Sequence, residues 1–217
     1  MPSRAATKKS TQIYSVHPGV AMMQKWIAEL PAKTGRSLPE WLRFTRTQGP
    51  AGEKAQREWL KKECGLGTNA AWWIAERIAG VAPGLADEDP EAYLAACPGY
   101  VDDMYRGKEA LRPLHDELVR RVRQLLPEVK ISPCKTIVPL YREHVFAQIK
   151  PSTKTRIDLG FCLKGATGRI PARVTDTGGL AKGDRITHRI ALGSTADLDA
   201  EVDRWLKVAW DLDKPKV

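Results

Sequence analysis

The 217-residue chain lacks any apolar run near the ~18 residues that a membrane-spanning helix needs, so such helices are excluded. No apolar stretch follows its first ten residues, MPSRAATKKS, and a secretory signal is not expected. Cysteine is scarce: Cys64, Cys97, Cys134 and Cys162 form no C-x-x-C pair. His17, His115, His144 and His188 are scattered as well. With no zinc-type spacing, neither a metal nor another cofactor is expected. Unpaired thiols without a signal read as reduced cysteines of a cytoplasmic protein. The signatures G-x-S-x-G, H-E-x-x-H and G-x-x-x-x-G-K-[ST] are missing too, and with them any sequence-level pointer to an enzyme. A catalytic site assembled only in space would leave no such trace.

Charge is what the chain does have. Lys and Arg number 35 against 26 Asp and Glu, a formal +9, and the pI is about 9.5. Residues 106–156 concentrate it, with twelve basic against five acidic side chains. Such a region suits an anionic partner, with nucleic acid ahead of a nucleotide or an acidic protein. A solvated basic surface that only aids solubility is the plain alternative.

Periodicity predicts an α+β chain in two parts. Residues 1–17 read as a loosely attached arm. A small all-α domain is expected over 18–80. Its first helix carries Met22, Met23, Trp26, Ile27 and Leu30 at helical spacing. Ser37-Leu-Pro-Glu40 has the form of a capping box for the second. Two further helices run from about 52 to 64 and from 68 to 79, the last under Thr68 as N-cap. Residues 81–99 read as a linker with one short helix, starting at Asp89 or Pro90 and broken by Cys97-Pro98-Gly99. The second domain, 100–212, is expected as α-β5-α with an antiparallel sheet. Its first helix steps through Leu111, Leu114, Leu118, Val122 and Leu125. Strands follow at 129–131, 136–141, 145–149, 156–163 and 186–192, and a long loop spans 164–185. Ser194 is the expected cap of the final helix.

Two stretches carry a resemblance. AKTGRSLPEW with EWLKKECGLGTNAAWWIA is similar to a small helical bacterial domain of unknown function with the pattern KTG…W…WLK…GLG. YREHVFAQIKPSTKTRIDLGFCLKG, followed by ITHRIAL and DRWLKVAW, resembles a second uncharacterised bacterial domain that often follows the first. The resemblance implies a tandem of the two and brings no catalytic residue with it.

The leading candidate site is a basic strand–turn set, Arg142, Lys150, Lys154 and Arg156. Four cations within fifteen residues, beside the hydroxyls of PSTKT, suit a phosphate backbone. If Ala147 and Ile149 face the core, Phe146, Gln148 and Lys150 share the opposite face. The bland alternative is a solvated sheet edge. A secondary candidate is the turn Gly65-Leu66-Gly67, flanked by Lys61 and Lys62. It has the G-h-G form that in helix-hairpin-helix modules offers backbone amides to a phosphate. The same residues also suit an ordinary helix stop. His144 and Asp158 are a pair that neighbouring strands could bring together. The expectation is a non-enzymatic binding or accessory protein for an anionic partner, with no membrane contact. Two alternatives stand beside it: a small-molecule or enzymatic pocket under the 164–185 loop, and a protein–protein adaptor using the adjacent Trp72 and Trp73.

Overall fold

A computed structural model describes residues 12–80 and 88–214. The chain divides into two compact units. One comprises His17–Ala96; the other runs from Cys97 onward and includes residues 12–16.

The first unit holds four helices ahead of residue 80: α1 (Pro18–Thr34), α2 (Leu38–Gln48), α3 (Glu53–Lys62) and α4 (Thr68–Ile78). His17 caps α1 by accepting the Gly19 amide on Nδ1 at 2.9 Å. Gly35, at φ 74°, then turns the chain out of the helix, a left-handed geometry that favours glycine. Glu40 reaches back to the Ser37 amide at 2.7 Å, as the capping pattern predicts. Leu30, Leu38, Trp41, Leu60, Leu66, Ala71 and Ile74 form the core. Met22 is not part of the buried stripe; it is 57% exposed, while Val20 and Met23 are buried. The N-cap of α4 is Gly67 rather than Thr68, which already has helical geometry as the first residue.

Of the expected linker, 81–87 lies outside the described residues. Its short helix is not broken at Cys97-Pro98-Gly99 but continues as α5 (Pro90–Met104). Asp89 starts it, with Oδ1 2.8 Å from the Glu91 amide. Pro98 removes one backbone bond from the interior, a cost of ~3 kcal/mol. Four side chains at steps of 4, 4 and 3 offset it, since Tyr93, Cys97, Val101 and Met104 are all buried.

The second unit continues with α6 (Arg112–Leu125). The strands are β1 (Lys130–Ile131), β2 (Val138–Tyr141), β3 (Val145–Pro151), β4 (Ile157–Phe161), β5 (Thr175–Asp176) and β6 (His188–Leu192), and α7 (Ala200–Leu212) closes the unit. The strands form one antiparallel sheet in the order β1-β2-β3-β4-β6-β5. The fold is α+β, as expected, with six strands rather than five. The extra strand is the two-residue β5, which lies within the stretch that reads as loop. Of the expected arm, 1–11 lies outside the described residues; within 12–17 the Ser15 amide donates to the Ile131 carbonyl at 2.7 Å.

Period-two alternation sets the core. Ala147 and Ile149 pair with Phe161 and Leu159, and Leu159 pairs with Ile190. All are fully buried in one cluster with Leu118 and Val122 of α6 and Val202, Leu206 and Ala209 of α7. Phe146 breaks the expected alternation. The register shifts between Leu140 and Tyr141, so Tyr141 pairs with Val145 while Leu140 pairs with Ala147. The extra residue is a β-bulge, and it lets Phe146 join the core instead of sharing the face of Gln148 and Lys150. Phe146 is fully buried and meets Trp210 of α7 edge-on at 5.3 Å. Ser194 begins only a short 3-10 turn, Thr195–Asp197. The cap of α7 is Asp199, whose Oδ1 accepts the Glu201 and Val202 amides at 3.1 Å each.

Candidate functional site

The hairpin of β3 and β4 is the centre of the sheet, not its edge. Its turn is closed by the Ser152 amide on the Arg156 carbonyl at 3.0 Å. In this register Lys150 faces Asp158 across the strands, and Gly160 faces Arg189 on β6. Lys150, Arg156, Asp158 and Arg189 therefore share the sheet face opposite Ile149, Leu159 and Ile190. Asp158, with only 15% of its side chain exposed, sits between two guanidinium groups. Arg189 donates to Oδ1 at 2.8 Å, and Arg156 Nε lies 3.0 Å from the same oxygen without hydrogen-bond alignment. Lys150 and Lys154 are exposed and have no anionic partner among the described residues. One carboxylate against Lys150, Arg156 and Arg189 leaves the hairpin face positive, and Lys154 adds a fourth cation on its turn. Gly160 supplies the flatness of that face: a Cβ there would come within 2.7 Å of Ile186 Cγ2 and 3.1 Å of Gln148 Cγ.

Of the four sequence-predicted residues, Lys150 and Arg156 share this face and Lys154 stands on the turn between them, while Arg142 is elsewhere. It lies in the β2–β3 turn, beyond the other end of β3, with the five-residue step from Val145 to Lys150, roughly 17 Å of strand, in between. Its guanidinium rests 4.7 Å over the Trp210 ring and donates to the Trp210 carbonyl at 2.9 Å. That fastens the last turn of α7 to the β2–β3 turn. Arg189 replaces it in the cluster. The sequence places Arg189 on a strand, but only the pairing of β4 with β6, across more than twenty residues of intervening chain, brings it to Asp158.

His144 does not meet Asp158 either. Its Nδ1 lies 3.1 Å from Oδ1 of Asp213, a carboxylate only 5% exposed. The Glu143 and His144 amides donate to Oδ2 at 3.1 and 2.7 Å, and Arg185 donates to Oδ1 at 2.6 Å. Beside this knot lies a cleft of about 220 Å³, lined by His144, Cys162, Lys164, Arg185 and Asp213 among others. It opens where the 164–185 loop leaves and rejoins the sheet.

In the helical unit, Gly65 stands at φ 67°, and the Leu66 amide returns to the Leu60 carbonyl at 3.0 Å. The turn is a helix stop, as the bland alternative holds. Lys61 and Lys62 flank it, with Glu58 3.9 and 3.7 Å away. Gly65 also lines a cleft, whereas Gly67 is the residue ahead of α4. The adjacent tryptophans diverge: Trp73 packs edge-on against Trp26 at 4.9 Å, and Trp72 is 41% exposed beneath Arg57.

Among the described residues no group of three His, Cys, Asp or Glu side chains is placed to hold a metal, and no helix is long and apolar enough to cross a membrane. Burial controls the inner titratable groups. It pushes the Cys134 thiol up to about 12 and lowers His115 to about 4.

The family model described as a domain of unknown function, DUF5655, matches residues 101–213, more than half of the chain. The chain belongs to the DUF5655 family. A second model, also described as a domain of unknown function, DUF4287, matches residues 22–79. The tandem implied by the two sequence patterns is therefore present, and the cationic hairpin face belongs to the DUF5655 unit. Searches of curated proteins and of solved structures gave no match.

Proposed function

We propose that the DUF5655 unit is a binding module for a phosphate-bearing polyanion, with nucleic acid favoured, and that the β3–β4 hairpin face receives it. The supporting observation is that Arg156 and Arg189 engage the carboxylate of Asp158, while Lys150 opposite it and Lys154 on the hairpin turn are exposed with no anionic partner among the described residues. Lys150 and Arg189 flank β4 from either side, so the cations span two inter-strand steps, about 10 Å. A phosphodiester strand carries a charge every ~3.4 Å and can contact several of them at once. The excess of basic residues over 106–156 draws the same class of partner.

Titrations of duplex and single-stranded DNA at two or more salt concentrations test the reading. Each phosphate contact contributes about 0.9 to the slope of log affinity against log salt on duplex DNA. Lys150→Gln with Lys154→Gln should flatten that slope by roughly 1.8, since both side chains are exposed and outside the core. An unchanged slope in the folded double variant refutes the face, and absence of binding at low salt refutes the function.

A second reading, a small-molecule site, has its own support in the cleft beside Asp213. There His144 is oriented through Nδ1, leaving Nε2 for a ligand, next to Cys162 and Lys164. A ligand that raises the Tm of the wild type but not of Lys164→Gln would favour it. A screen of small carboxylates and phosphates without any such hit counts against it.

A further inference from the structure

Arg36 lies in the link between α1 and α2, just after the left-handed Gly35. Its guanidinium carbon is 4.2 Å from the centroid of Phe44 and 4.9 Å from that of Trp41. Both rings are fixed from behind. Phe44 stacks on Trp59 at 5.5 Å, and the buried Trp41 donates its indole N–H to Thr34 Oγ1 at 2.8 Å. The two rings stand at 77° to each other, so the guanidinium sits in the angle between them, and those of its five N–H bonds that point away from the rings remain as donors. Among the described residues none of those donors meets a carboxylate or a carbonyl. The neighbouring Lys33, by contrast, is held by Glu29 at 2.6 Å.

The unused edge borders a cleft of about 460 Å³. Lys33, Thr34 and Arg36 line one side; Glu63, Cys64 and Gly65 line another. The two segments that carry the first sequence pattern, Lys33-Thr34-Gly35 and Gly65-Leu66-Gly67, thus meet at one place. The positive charge reaches across the gap: burial raises the Cys64 thiol, and Arg36 works against that rise.

We propose that this cleft is a binding site for a small molecule bearing a compact oxyanion, phosphoryl or carboxylate, gripped by the in-plane fork of Arg36. Two oxygens of either group match two parallel N–H bonds of the fork. Contact with two rings restricts the guanidinium in advance, so little rotamer freedom is lost on binding. Exposed Glu63 on the other wall repels a second negative charge, so the rest of the ligand presents hydrogen-bond donors there. No residue is shared with the hairpin face, and the inference stands or falls separately from it.

The test uses the full chain with inorganic phosphate and acetate as probes and sodium chloride at matched ionic strength as the control. The readouts are the NMR resonances of Arg36 Nε–H and Trp41 Nε1–H. Saturable shifts of both, at millimolar probe and not with chloride, are expected, and they should persist in Lys150→Gln/Lys154→Gln. Saturation by phosphate alone assigns a phosphoryl ligand, and saturation by acetate alone a carboxylate. Arg36→Lys keeps the charge and loses the fork, and should weaken binding about tenfold, a step of about 1.4 kcal/mol. Shifts that fail to saturate with either probe overturn the site. So does equal binding by a folded Arg36→Lys variant.

Discussion

His115 makes the stability of the second unit depend on acid in a calculable way. The imidazole is fully buried on α6, with Nδ1 3.0 Å from the Tyr105 hydroxyl. Burial holds its pKa down at about 4; Asp116 pulls the other way and Arg112 adds to the lowering. In the unfolded chain the group returns to about 6.5. As pH falls below 6.5, protons bind the unfolded chain first and draw the equilibrium toward it. The stabilising contribution is complete above that value, declines down to about pH 4, and changes no further below. A gap from 6.5 to about 4, at about 1.4 kcal/mol per pH unit, amounts to about 3 kcal/mol in full and about 2 kcal/mol at pH 5. Carboxylates also titrate in this window, so the comparison needs a variant. His115→Gln keeps a polar side chain and cannot ionise. Urea unfolding at pH 7.5 and pH 5.0 should show the wild type losing about 2 kcal/mol more than His115→Gln. Equal losses would refute the argument, because they would mean that His115 takes up its proton without leaving the folded state.

Three further expectations follow from packing. Asp213→Ala removes the acceptor shared by two amides, His144 and Arg185, and should cost about 2–3 kcal/mol in urea unfolding; the 3–5 kcal/mol of a fully buried pair is reduced because Arg185 is 44% exposed. Gly160→Ala drives a methyl into Ile186 and Gln148 and should destabilise by about 1–3 kcal/mol, read as a lower Tm. Arg142→Gln should lower stability by about 1 kcal/mol through loss of the Trp210 contact, yet leave the salt slope of DNA binding where the wild type has it.

Element positions were legible wherever a local rule acts alone. The capping pair Ser37–Glu40, the helix stop at Gly65 and the alternation in β4 each rest on a few neighbouring residues, and each appears as read. Local rules failed where chain distant in sequence intervenes. The burial of Tyr93, Cys97 and Val101 carries α5 through a proline that would end an isolated helix. One extra residue in β3 turns Phe146 to the helices, and periodicity counted along a single strand cannot reveal the register of its neighbour. The candidate site divides on the same principle. Lys150, Lys154 and Arg156 share one hairpin and stay together. Arg142 leaves them because α7 supplies a ring and a carbonyl, and Arg189 joins them through β6.

The sheet also limits how another polypeptide could attach. On one margin is β1, two residues long, with the Ser15 amide already occupying the Ile131 carbonyl. On the other is β5, also of two residues and wholly exposed. Neither margin offers the run of free amides and carbonyls on which a foreign strand could template itself. Concentrated solutions should therefore resist fibril-like self-association through this sheet, and an extended peptide finds no rail for strand addition. What the sheet presents to its surroundings is therefore a face of side chains rather than a margin of free backbone.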